Sequence, residues 1–107
     1  MSVISKTPIE KNIKLQDSFK TVVKSENYTT TGDSVIIVKD VKSCEILLNS
    51  KSTKSVKIKA LSDTVIKSDY SIDIEYDEIF LNGGSSIELE FVEDGWYIMS
   101  SDGLRNT

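Results

Sequence analysis

The densest run of groups able to do chemistry is Asp73-x-Glu75-x-Asp77, with Glu78 directly after it. Carboxylates at close spacing suit a hard cation, and a calcium loop is the obvious comparison. Such a loop needs glycine at its sixth position and a bidentate carboxylate at its twelfth. Counted from Asp73, those positions hold Glu78 and Gly84, so the pattern fails. A two-residue spacing instead places Asp73, Glu75 and Asp77 on one outer strand face, where repelling charges discourage sheet-to-sheet association.

Paired carboxylates also hydrolyse glycosidic bonds, but only at a fixed separation inside a cleft, and outward-facing acids on a small domain do not supply one. The chain has no histidine, which removes the usual general base and the commonest metal ligand. Its single cysteine, Cys44, rules out an intramolecular disulfide and any CxxC metal knuckle. Cys44 is in phase with Ile46 and Leu48 and reads as a small buried hydrophobe. Lys42 alone is thin support for an activated thiol. Trp96 and Tyr97 offer either a flat platform for a sugar ring or an anchor for the core, and the core is the favoured role. Asn27-Tyr28-Thr29 fits the glycosylation triplet but carries no weight without a secretion leader. The expectation is a non-enzymatic protein with no catalytic residue, no metal site and no cofactor.

The elements that would position these groups are strands. At 107 residues the chain is the size of one domain. Val, Ile and Thr supply 30 residues, while Ala occurs once, at Ala60; β-branched side chains favour pleated strands, and the best helix former is scarce. Val35–Val38 is a short apolar run. Cys44, Ile46 and Leu48 alternate with Ser43, Glu45 and Leu47. Val56, Ile58 and Ala60 alternate with Lys57 and Lys59, and Ile72, Ile74 and Tyr76 with Asp73, Glu75 and Asp77. Ile87, Leu89 and Phe91 alternate with Glu88 and Glu90. One greasy face and one wet face is the pattern of antiparallel sheets.

Turn signals fall between these runs at Thr31-Gly32-Asp33, Asn49-Ser50-Lys51, Ser62-Asp63, Lys67-Ser68-Asp69, Asn82-Gly83-Gly84 and Asp94-Gly95. The last, between Phe91-Val92 and Trp96–Met99, is the strongest hairpin signal. The expected fold is therefore all-β: a compact antiparallel β-sandwich or β-prism-like domain over residues 27–101. An N-terminal arm with a first strand occupies 1–26, and a tail occupies 102–107. Within the arm, Thr7-Pro8-Ile9-Glu10 has the form of a helix start, whereas Ile13, Leu15, Phe19 and Val23 share the odd-numbered phase of a strand.

Charge is divided unevenly along the chain. Residues 1–67 carry twelve Lys against seven acids, and residues 68–107 carry Arg105 against ten acids. The result is a dipolar surface suited to docked or head-to-tail contacts. A net charge of −4 argues against nucleic acid as a partner. No apolar run approaches the roughly 18 residues that span a bilayer, and no leader follows Met1, so a soluble product made in the cytoplasm is expected.

The carboxy-terminal pattern carries a resemblance. Ser86-Ile87-Glu88-Leu89-Glu90-Phe91, then Asp94-Gly95-Trp96-Tyr97-Ile98-Met99-Ser100, resembles the ending of small β-rich virion domains of tailed bacteriophages. Upstream, Tyr28-Thr29-Thr30 with Asp33–Val38, Ser43–Leu48 and Ser55–Lys59 resemble earlier strands of that family in the same order. Asn49 and Ala60 depart from the family's usual Pro and Asn. The resemblance implies a structural virion component, a homotrimeric capsid decoration or a tail- or fibre-associated protein, partnered by itself and by capsid or tail components. A trimer would let one small sheet bury its apolar face against two copies of itself. Val35, Ile37, Cys44, Ile46, Leu48, Val56 and Ile58 are the residues expected in that interface or core. The alternative is a carbohydrate-binding β-sandwich module, stacking Trp96 and Tyr97 on host-surface glycans.

Overall fold

The computed structural model describes residues 19–103. Among them there is no helix, and the architecture is all-β. Nine strands form in chain order: β1 Lys20–Val23, β2 Asn27–Thr29, β3 Val35–Val38, β4 Ser43–Leu48, β5 Ser55–Ala60, β6 Asp63–Ile72, β7 Tyr76–Leu81, β8 Ser85–Val92 and β9 Gly95–Asp102. The helix-start motif at Thr7-Pro8 and the tail beyond Gly103 lie outside the described residues.

The chain coils as a solenoid, which corrects the antiparallel sandwich or prism expected from the sequence. From β1 to β4, strand n pairs with strand n+2, not with its neighbour in sequence. Thus β1, β3 and β5 form one parallel ladder, and β2, β4 and β6 form a second. Antiparallel pairing is confined to the end of the chain, where β8 joins β5, β7 joins β6 and β9 joins β8. The alternating pattern could not separate the two arrangements. Parallel sheets are usually covered by helices on both faces, but here each ladder covers only the other. One face of every strand therefore stays wet, as in an antiparallel sheet. Thr31–Asp33 and Asn49–Lys51 are turns, as read, but they carry the chain between layers and close no hairpin.

Register explains the core. Thr21, Ile36, Ile58 and Ile87 lie side by side across four strands, as do Tyr28, Ile46, Ile66 and Ile79 across the other ladder. Sixteen apolar residues are buried and form one cluster between the layers, among them Cys44, Ile46, Leu48, Val56, Ile58 and Trp96. A single copy thus hides its own greasy faces, and the premise that two sister copies must close around it does not hold. Val35 and Ile37 occupy the opposite phase from the one expected: Ile36 and Val38 point inward, while Val35 and Ile37 are half-buried on the outer face.

Three other local expectations change. Asp73-Ile74-Glu75 is not strand but the turn joining β6 to β7. Asp73 and Ile74 take positive φ there (50° and 73°), and Ile74 is 77% exposed. The alternation from Ile72 to Asp77 spans this turn by coincidence of phase. The final hairpin forms one residue earlier than read, since Val92 pairs with Gly95 across Glu93-Asp94 and Glu93 takes the positive φ of 59°. Lys67-Ser68-Asp69, read as a turn, lies within β6 where its pairing to β7 shifts register.

Candidate functional site

Two carboxylates that the sequence marked only as turn residues prove to be the best-connected polar groups. Asp33 sits in the turn between β2 and β3 and is 1% exposed. It accepts hydrogen bonds from the Thr21 hydroxyl on β1, the Tyr28 hydroxyl on β2 and the Thr31 amide (2.7 Å). Burial by itself raises its pKa, but the hydrogen bonds from Thr21, Tyr28 and Thr31 outweigh burial and hold the carboxyl below its ordinary value. Asp69 on β6 accepts from the Ser50 amide (3.0 Å), the Ser50 hydroxyl (2.7 Å) and the Trp96 indole N–H (3.3 Å). Its pKa is lowered for the same reason, with burial opposing and the Ser50 and Trp96 donors prevailing. Both groups tie elements together.

The turns at this corner are also stitched to one another. The Thr30 hydroxyl accepts from the Asn49 amide (2.8 Å), and the Thr53 hydroxyl accepts from the Gly32 amide (2.7 Å). The Ser52 hydroxyl donates to the Thr30 carbonyl (2.8 Å). Gly32 has a φ of 100°, a conformation other side chains rarely adopt. The signal for this knot was the run of hydroxyl residues, Tyr28 through Thr31, leading into Asp33. It went unread because nothing in the sequence shows that Thr21 would stack beneath them.

The residues singled out earlier are dispersed. Trp96 is fully buried, with its ring edge-on to Phe91 at 5.4 Å and Phe91 in turn 5.1 Å from Tyr70. Of its two expected roles, Trp96 therefore takes the core anchor, and its face is closed to a sugar ring; Tyr97 is half-buried beside it. Cys44 is buried, and burial together with the nearby Glu45 charge pushes its thiol pKa up, away from reactivity. Asp73 is a structural acceptor for the Ile98 amide (2.9 Å), whereas Asp77 and Glu78 project from β7 into solvent. Among the described residues no group of three or more His, Cys, Asp or Glu could hold a metal ion.

What remains is surface. One shallow depression crosses the outer face of β3, β5, β8 and β9, bounded by Val35, Lys57, Lys59, Glu88 and Asp102. A second lies on the other ladder, where Asn27, Glu45, Val65 and Phe80 share one row. The most consequential feature is axial. The sheet runs β1-β3-β5-β8-β9-β6-β4-β2, so β8 and β9 form its bend while β1 and β2 are its two free tips. Lys20, Lys24, Lys39 and Lys42 flank the tips against the exposed acids Glu26 and Asp40, and Asp33 there is buried. From Ser68 to Gly103 there is no Lys or Arg but ten acids. The acidic half of the sequence thus becomes an acidic end of the molecule, while the lysines spread from the tips across β5 and β6. No protein-family model matches the chain, and no curated protein matches it in sequence.

Proposed function

We propose that this chain is a non-enzymatic structural component of a bacteriophage virion, a homotrimeric capsid decoration or a tail- or fibre-associated protein that works through its outer surfaces. The supporting observation is the contrast between a self-sufficient interior and an unfinished exterior. Every strand contributes to one core, while the tips end in two short edge strands. Val22, Val35 and Ile37 remain outside that core on neighbouring strands, a short apolar strip that burial within one copy does not use. Its best-connected carboxylates are spent on structure, and the depressions on its faces are shallow. The sequence likeness to phage virion domains is densest over β8 and β9, the strands that form the bend.

In this reading the partners are other copies of the chain and a capsid or tail protein, and the protein is located in the virion. Electron microscopy of purified particles, with and without the protein, tests the reading. Threefold density that disappears when the protein is omitted supports it. Particles identical in both preparations contradict it.

A further inference from the structure

One end of the solenoid is strongly acidic and the other carries a small excess of lysine, Lys20, Lys24, Lys39 and Lys42 against Glu26 and Asp40, and each end also exposes apolar side chains. At the tips, Phe19 is 45% and Val22 52% exposed, beside Lys20 and Lys24. At the opposite end, Ile74, Tyr76, Phe80, Val92 and Met99 are exposed among Glu75, Asp77, Glu78, Glu93 and Asp94. The outer edges of β1 and β2 meet no further strand among the described residues, and β7 is paired on one side only. Short edges with unpaired backbone groups invite a partner, and solenoid ends need covering to stay soluble.

From this we infer that the occupant of the tips is a second copy of the chain, docked head to tail, with β1 and β2 of one copy against the acidic β7–β9 end of the next. The inference specifies the self-association that the structural-component reading requires, and it rests on that reading. A contact of this kind is heterologous: it closes into a ring if the rotation per copy allows, as a trimer demands, and otherwise runs on as a filament. Opposite charges set the polarity of docking and speed encounter, while the exposed apolar groups supply the buried centre. Lys24 already pairs with Asp40 at 3.6 Å, an exposed contact weak enough to be exchanged for one across the interface.

Sedimentation velocity on the full chain tests the inference. Association should weaken at least about tenfold between roughly 50 and 500 mM salt, as screening of surface charges requires. The double variants Lys20→Glu/Lys24→Glu and Asp77→Lys/Glu78→Lys should each weaken it by about tenfold at low salt. The quadruple variant carrying all four changes restores opposite charges between the ends and should regain it. These positions are exposed, and an unchanged circular dichroism spectrum checks folding, while the salt series on the unaltered chain needs no variant. A trimer indifferent to salt and to both double variants would overturn the head-to-tail contact and leave the trimer reading standing. A quadruple variant that stays weak would overturn the contact too. A chain that is monomeric throughout would overturn both, with the tips then covered in some other way.

Discussion

The two ends of the molecule solve the same problem with different chemistry. Where β1 and β2 leave the sheet open, the layers are tied by a carboxylate: Asp33 draws Thr21, Tyr28 and Thr31 together. Where β8 and β9 bend the sheet over, they are tied by rings: Trp96 fills the gap between layers, braced by Phe91, with Asp69 accepting its indole N–H. A hydrogen-bonded knot suits an end exposed to water, because it needs little apolar area. An aromatic plug suits the closed end, because a large ring excludes water from a place where strands change direction. A solenoid is nearly one-dimensional, so each end should answer chiefly for its own neighbourhood.

The sharpest way to break that contrast is at the plug. Trp96→Ala should cost about 3–5 kcal/mol, the range for deleting a large buried ring, read as a fall in the urea midpoint. If the loss is under about 1 kcal/mol, the ring is not the keystone of the closed end. Next comes the knot: Asp33→Ala takes the acceptor from the half-buried Thr21 and Tyr28 hydroxyls and should cost about 1–3 kcal/mol.

The knot also predicts a pH dependence. Asp33 and Asp69 have pKa values lowered by folding, so their contribution is fully present above the ordinary carboxylate pKa of about 3.9 and is lost as pH falls through the lower folded value. Urea midpoints measured down from neutral pH should therefore drop on acidification in the unaltered chain. They should drop less in Asp33→Asn. Equal acid sensitivity in both would deny Asp33 its role.

Smaller effects sharpen the comparison. Val23→Ala, at the open tip, should cost only about 1–2 kcal/mol and should speed hydrogen exchange in β1 and β2 more than in β8. Uniform exchange across the sheet would mean the ends are not independent. At the closing hairpin, Glu93→Asn should add about 0.5 kcal/mol, since Asn tolerates the left-handed backbone that Glu93 adopts at 59°. No gain would place the turn's strain elsewhere.

Much of this was legible in the residues. The alternation of Cys44, Ile46 and Leu48, and of Val56, Ile58 and Ala60, marks the buried face of β4 and β5. Strand direction was not legible, because a parallel ladder covered on one side repeats every two residues just as an antiparallel one does. At Val35–Val38 the expected inward phase, Val35 and Ile37, had nothing in the sequence to support it: four apolar residues in a row fit either face, and the pairing of Ile36 with Ile58 selects the inner one. The Asp33 knot depends on Thr21, twelve residues away in sequence, so composition could point to the turn but not to its partner. The charge split was visible as numbers, yet its meaning as two opposite ends required the sheet order.

The claim beneath all of this is that the chain coils, with each of β1 to β4 lying parallel to the strand two places ahead. Nuclear Overhauser contacts between backbone protons decide the matter directly. The account predicts parallel-type contacts linking Ile36 with Ile58 and Ile46 with Ile66, and none typical of a hairpin between β3 and β4. Strong antiparallel contacts between β3 and β4 would contradict it.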